Sequence, residues 1–168
     1  PLHPSPSRAT APPSTPADFD AIKTLFIEYA GSLGISLDHE GFEAELVDLA
    51  GKYASPGGAL LLARSDDGTP AGAVALRKVS PEIFEMKRLY VRPAYRGRRT
   101  LAGVSIGRAL AEGIVEEARR RGCRRVRLDT IAGKMGVAMS LYRSMGFVAV
   151  PPYYSSPVPD TAYMEMTL

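Results

Sequence analysis

Four arginines crowd one short stretch of this chain. Arg92, Arg96, Arg98 and Arg99 lie within Met86–Leu110, MKRLYVRPAYRGRRTLAGVSIGRAL. A guanidinium presents a rigid fork of donors that matches phosphate and carboxylate oxygens. Ahead of the arginines, Leu89, Tyr90 and Val91 are strand formers. Pro93 ends the ladder because it has no N–H to donate. Behind them, Ile106, Leu110, Ile114, Val115 and Ala118 recur at helical spacing. A strand that runs into a basic loop and opens a helix is a phosphate-binding arrangement. The first-turn N–H groups have no intrahelical acceptor and carry the positive end of the helix dipole. Gly97, Gly103 and Gly107 let backbone approach a ligand closely. The turn lacks the Gly-Lys-Ser/Thr ending of a P-loop. It also lacks the N-terminal position and the later acidic residue of a dinucleotide fold.

Two further side chains could move protons. Tyr142 lies in Leu141-Tyr142-Arg143-Ser144-Met145-Gly146-Phe147. A phenol with its ordinary pKa of about 10 is protonated at neutral pH and can act as an acid. The plainer reading is a packing tyrosine on an amphipathic helix. Glu85 precedes Leu89 on the same strand and is a candidate base, with a surface or ion-paired carboxylate as the alternative. Asp129 is a weaker candidate. His39, at a helix start, is either a pocket residue or a cap. No Cys/His cluster has metal-ligand spacing, and no Ser-His-Asp set is recognisable.

Three motifs in order, VRPAYRG, SIGRAL and LYRSMGF, resemble the GCN5-related N-acetyltransferase (GNAT) superfamily. The resemblance spans Pro16 to Leu168. It implies an α/β fold with a mixed, mostly antiparallel central sheet flanked by helices. It implies an enzyme that moves an acetyl group from acetyl-CoA to a primary amine of a small molecule or peptide, by direct attack and without a metal. Arg96, Gly97, Arg98, Ser105, Ile106, Gly107 and Arg108 would cradle the cofactor pyrophosphate. Backbone near Leu89 and Val91 would hold the pantetheine arm and face the thioester carbonyl, stabilising developing charge without a charged side chain. Tyr142 would protonate the leaving thiolate, and Glu85 would take the amine proton directly or through water.

The chain departs from the family pattern at two places. The compact Arg-Gly-x-Gly-Ile/Leu-Gly-Arg-x-Leu form is interrupted by six residues, Arg99–Val104, with Ser105 in a glycine slot. A second register would place Gly103-Val104-Ser105 in that slot. The asparagine that many members carry near the later helix start is missing from Gly133-Lys134-Met135-Gly136. The altered loop keeps a second function open: a non-catalytic acyl-CoA-binding module of the same fold.

The rest of the sequence supplies the frame. One chain of 168 residues, 45% hydrophobic and 23% charged, suits one folded domain. Residues 1–15 form a Pro/Ser-rich flexible lead-in whose Ser7–Thr10 is the candidate first strand; residues 16–168 form the domain. Helices are predicted over Pro16–Ser32, His39–Ala50, Val104–Arg121 and Gly133–Ser144. Strands are predicted over Ala59–Arg64, Ala71–Lys78, Glu82–Val91, Arg124–Asp129, Phe147–Val150 and Ala162–Thr167. Tyr29, His39, Tyr53 and the Tyr153-Tyr154 loop are the expected acceptor walls. The net charge of +3 is local, held in Arg92–Arg99 and Arg119–Arg127, which suits one anionic ligand. No aromatic residues interleave with the second cluster for base stacking, so no nucleic-acid partner is expected. A lone Cys123, no apolar run long enough for a membrane and no signal segment lead to the expectation of a soluble cytoplasmic protein. Many relatives pair as homodimers, and nothing in the sequence fixes that state.

Overall fold

The structure, a computed structural model, describes residues 10–38 and 41–168. His39 and most of the candidate first strand, residues 7–9, lie outside them. Strand β1 (Thr10–Ala11) leads to helix α1 (Pro16–Leu33). Thr15 begins α1 with a capping box: its hydroxyl accepts from the Asp18 N–H at 3.2 Å, and the Asp18 carboxylate accepts from the Thr15 N–H at 3.3 Å. Gly34, at φ 63°, closes it in the left-handed region.

The helix expected over His39–Ala50 is two pieces, α2 (Phe42–Val47) and α3 (Leu49–Lys52). Asp48 makes the break. Its backbone leaves the helical region, and its carboxylate accepts from the Gly51 N–H at 2.9 Å. A short acidic side chain competes for backbone donors in this way. Strands β2 (Gly58–Arg64), β3 (Pro70–Lys78) and β4 (Ile83–Val91) follow, then α4 (Ile106–Arg120), β5 (Arg125–Ile131), α5 (Gly136–Met145), β6 (Val148–Ala149) and β7 (Thr161–Thr167). Helix α4 starts two residues later than expected because Ser105 is its cap. Helix α5 starts three residues late: the Lys134 and Met135 N–H groups both turn back to the Ile131 carbonyl.

The strands form one seven-stranded sheet in the order β1-β2-β3-β4-β5-β7-β6. Every neighbouring pair is antiparallel except β4 and β5. Alternation sorts β3 between two cores. Ala73 and Ala75 face α1, with Ile22, Leu25 and Phe26 against them. Val74 and Leu76 face α4, with Leu110, Ile114 and Ala118. Burying a side chain the size of Leu or Phe stabilises by about 1.5–3 kcal/mol, so both helices are held to the sheet by their apolar stripes.

Candidate active site

The parallel pair at the centre of the sheet is short. Ile83, Phe84 and Glu85 stand opposite Arg125, Val126 and Arg127, and the two strands then part. Strand β4 runs on to Val91 and β5 to Ile131 with a gap between them. On its other side β4 stays laddered to β3, where the Arg92 N–H donates to the Ala71 carbonyl at 2.8 Å. Antiparallel pairing alternates, so the backbone groups of Val91 and Leu89 turn away from β3 and into the gap. A β-bulge sharpens this. Lys87 pairs with Ala75 and Tyr90 with Ala73, so Arg88 and Leu89 together oppose Val74. Arg88 takes φ 63°, an uncommon backbone for a residue with a Cβ.

The bulge shifts the side-chain alternation by one. Phe84 and Met86 lie in the α4-side core; beyond the bulge Leu89 and Val91 pack on that side, and Tyr90 faces α1. Arg88 is thereby taken out of the α4-side apolar core. It reaches Glu45 of α2 at 3.1 and 3.4 Å and lies 5.1 Å over the Phe42 ring. The Tyr53 hydroxyl donates to the same carboxylate at 2.7 Å. Arg88 is 4% exposed and Glu45 2%. A second clamp holds the strand end, where Arg92 binds Glu28 of α1 through Nε at 3.0 Å and Nη2 at 2.7 Å.

Helix α4 points its first turn at the same place. The Ser105 hydroxyl accepts from the Arg108 N–H at 3.2 Å, and the Ser105 carbonyl accepts from the Ala109 N–H. Ile106 and Gly107 are left with N–H groups that have no intrahelical acceptor. A Cβ on Gly107 would stand 3.7 Å from Val91 and 3.9 Å from Leu141. The helix opening, the end of β4 and helix α5 therefore converge. The six inserted residues form a closed hairpin, with Arg99 bridged to Ser105 and the Thr100 N–H on the Val104 carbonyl at 2.7 Å. This geometry agrees with the register that keeps Ser105-Ile106-Gly107-Arg108 at the helix start.

The basic side chains are less gathered than their spacing suggests. Arg96 folds back, donating from Nε to the Val91 carbonyl at 2.9 Å. Arg98 stacks 5.1 Å over the Tyr95 ring, and Gly97 turns at φ 80°. Arg108 is engaged by Glu112 at 2.8 Å and Ser144 at 2.9 Å, tying α4 to α5.

Tyr142 is 4% exposed and packs edge-on to Phe147, with ring centroids 5.7 Å apart. Burial pushes its phenol well above the ordinary value, and Tyr29 and Asp129 add to the shift. Both belong to the opposite face of the sheet, where they line a groove with Lys87 and Tyr154. Asp129 accepts a hydrogen bond from the Tyr154 hydroxyl at 2.5 Å.

A family model described as the acetyltransferase (GNAT) family matches residues 20–147. The chain belongs to the GNAT acetyltransferase family. It is an enzyme, an N-acetyltransferase. An uncharacterized N-acetyltransferase of Schizosaccharomyces pombe is 36% identical over 154 residues, 91% of this chain and 90% of that protein. Among solved structures, an acetyltransferase from Streptococcus agalactiae superposes with a TM-score of 0.74 at 18% identity, covering 95% of this chain and 97% of that one. A GNAT family acetyltransferase from Elizabethkingia anophelis, with acetyl-CoA bound, superposes with a TM-score of 0.56 at 19% identity, covering 72% and 82%. At these identities the two structures attest the fold.

In this GNAT enzyme, Glu85 stands at the crotch where β4 and β5 part. Arg127 lies 3.3 Å from its carboxylate, Lys87 3.5 Å and Arg77 3.6 Å. The ion-paired reading of Glu85 describes this geometry: three cations surround its carboxylate. Lys87 follows Glu85 by two residues on its own strand, whereas Arg77 and Arg127 come from β3 and β5, so no local pattern in the sequence marks those two. Tyr29 and Tyr154 line one groove beside the gap, and Tyr53, Tyr153 and Tyr154 line the next. The second arginine cluster is largely paired at home: Arg119 with Glu116, Arg120 and Arg121 with Glu117, and Arg125 with Glu165. Among the described residues no helix is long and apolar enough to cross a membrane, and no His/Cys/Asp/Glu group is placed to hold a metal.

Proposed function

We propose that this GNAT enzyme transfers acetyl from acetyl-CoA to a primary amine of a small molecule or peptide, by direct attack of the amine. The observation that carries the reading is the parting of β4 and β5 beyond Glu85 and Arg127, with the α4 opening set against Val91. Acetyl-CoA supplies an activated thioester carbonyl. The Leu89 and Val91 backbone groups suit its amide-bearing arm. The Ile106 and Gly107 N–H groups, with Arg96, Gly97 and Arg98 nearby in sequence, suit its pyrophosphate. Ser105 fixes that helix turn, and Arg108 braces it against α5. For Arg96 to serve, it must release the Val91 carbonyl, which frees that carbonyl as well.

Tyr142 carries its proton at neutral pH as an ordinary phenol does, and burial opposes its loss further. That proton suits it to the role of the acid that protonates the departing sulfur, help worth about 10²–10⁴-fold in such sites. The amine comes from the α1 side, along the groove of Tyr29, Lys87 and Asp129. Glu85, enclosed by cations, is reassigned from proton acceptor to anchor of Arg77, Lys87 and Arg127. Asp129 takes the base role, directly or through water. The test is coenzyme A release from acetyl-CoA over a panel of amines, alongside thermal shift with acetyl-CoA alone. A ligand that binds the folded state raises its melting temperature. Absence of any shift at saturating cofactor overturns the proposal.

A further inference from the structure

A second groove, with a cavity volume of about 370 Å³, adjoins the first and shares Lys87 and Tyr154 with it. Its walls carry four cations, Lys52, Arg77, Lys87 and Arg127, against two carboxylates, Glu45 and Glu85. Neither carboxylate is open to a ligand. Glu45 is held inside by Arg88 and Tyr53. Glu85 is surrounded by Arg77, Lys87 and Arg127. The groove therefore presents positive charge.

It also presents unanswered donors. Arg77 Nε and the Tyr153 hydroxyl are buried, and no acceptor among the described residues meets either. Both residues line this groove. Buried donors are nearly always matched in folded proteins, so two mismatches in one cleft mark a place built for an acceptor. The Tyr153 ring is fixed, with Arg127 3.9 Å over its face and Tyr163 edge-on at 5.0 Å. Its hydroxyl stays protonated because burial raises its pKa, with Glu85 adding to the effect.

We propose that this groove binds a carboxylate of the acceptor, so that the amines acetylated here are amino acids or related small molecules with a free carboxylate. The two oxygens of a carboxylate answer the two donors, Arg77 Nε and Tyr153 OH, while Arg127 and Lys52 supply charge. The amine end then lies in the adjoining groove beside Asp129. The inference rests on the acetyl-transfer reading for its amine, but the carboxylate site has its own readout.

The experiment has two arms. In the first, α- and ω-amino acids, their methyl esters and unbranched diamines are compared by coenzyme A release. Free acids should be the better substrates, and Tyr153→Phe should raise their KM by about tenfold or more, the loss of one hydrogen bond to a charged group, while KM for the esters stays put. In the second arm, N-acetyl amino acids and their amides are titrated by thermal shift, with no transfer needed. The acids should stabilise the wild type, the amides should not, and Tyr153→Phe and Arg77→Gln should each weaken the effect. Tyr153→Phe keeps the ring on Arg127 and Tyr163, so its fold is preserved. Esters and diamines used as well as free acids, with no shift from the N-acetyl acids, would overturn the carboxylate site and leave acetyl transfer standing. Carboxylate binding that depends on Tyr153 and Arg77, with no amine acetylated, would support the site and overturn the transfer reading.

Discussion

Arg88 and Glu45 are the pair through which one substitution reaches the site most directly. Both are almost fully buried, and the pair holds a bulge whose backbone sits at φ 63°. Glu45→Leu takes from the buried Arg88 guanidinium the carboxylate it meets at 3.1 and 3.4 Å, and Arg88→Met takes from the Glu45 carboxylate its guanidinium, leaving it the Tyr53 hydroxyl. Removing one partner of a buried pair costs about 3–5 kcal/mol. A domain's whole stability is about 5–15 kcal/mol, so either change takes roughly a fifth of it or more. Glu45→Gln keeps an oxygen for Tyr53 and Arg88 and should lose only about 1.5–3 kcal/mol, the range for hydrogen bonds to charge. The double variant Glu45→Leu/Arg88→Met removes both charges and should recover most of the single losses. Urea unfolding followed by circular dichroism or tyrosine fluorescence measures all four, since the chain has no tryptophan. Binding separates the two roles of the pair. The double variant should regain stability yet bind acetyl-CoA more weakly, because nothing then draws residue 88 out of the regular ladder beside Leu89 and Val91. Additive losses across the cycle would refute the coupling. Unchanged cofactor affinity in the double variant would refute the claim that the pair maintains the bulge.

Tyr142→Phe should lower kcat and kcat/KM together, by about 10²-fold, with acetyl-CoA affinity unchanged; a near-normal kcat would make Tyr142 a packing residue. Because burial raises its pKa above about 10, the alkaline limb of the wild-type pH–rate profile below that pH should persist in this variant, and its disappearance would contradict the shift. Deleting Arg99–Val104 should leave folding and cofactor binding intact, since Arg99 and Ser105 already face each other across the hairpin base; loss of binding by titration calorimetry would place the hairpin in the site. Asp18 is held at about 2, chiefly by the Ser14 N–H and then by Arg64. Its contribution is complete above its unfolded value of about 3.8 and fades as pH falls toward 2, so Asp18→Asn should flatten unfolding free energy against pH in that window.

Much of the frame could be read from local chemistry. Thr15-Pro16 marked the first helix because capping involves neighbours only, and Gly122 and Gly146 do turn at φ 77° and 107° after α4 and α5. The Asp48 break was missed because a helical stripe continues through it; the signal was an Asp three residues before a glycine. The bulge also left a trace. In Phe84-Glu85-Met86-Lys87-Arg88-Leu89-Tyr90-Val91 the alternation holds until two charged residues fall side by side, and that is where the extra residue sits. Two of the three cations around Glu85 left no trace. Lys87 shares Glu85's strand and face, two residues on, but Arg77 and Arg127 reach it only through the pairing of β3 and β5 with β4, and strand pairing is a non-local fact. The same holds for the Arg88–Glu45 pair, which lies across the sheet–helix boundary.

The short parallel contact between β4 and β5 also orders the assembly of the chain. Strands β2 to β4 are joined by tight turns and can zip as a meander, with contacts that are near in sequence. Strand β5 must wait for α4 to fold and carry the chain over, a longer closure that forms later. Until then β4, the strand of the site, is a bare edge with unpaired backbone groups, the kind of edge that recruits another chain. A product that ends before Arg125 would therefore be more than inactive: it would offer each copy a docking strand for the next, and is expected to accumulate as aggregates or strand-exchanged oligomers.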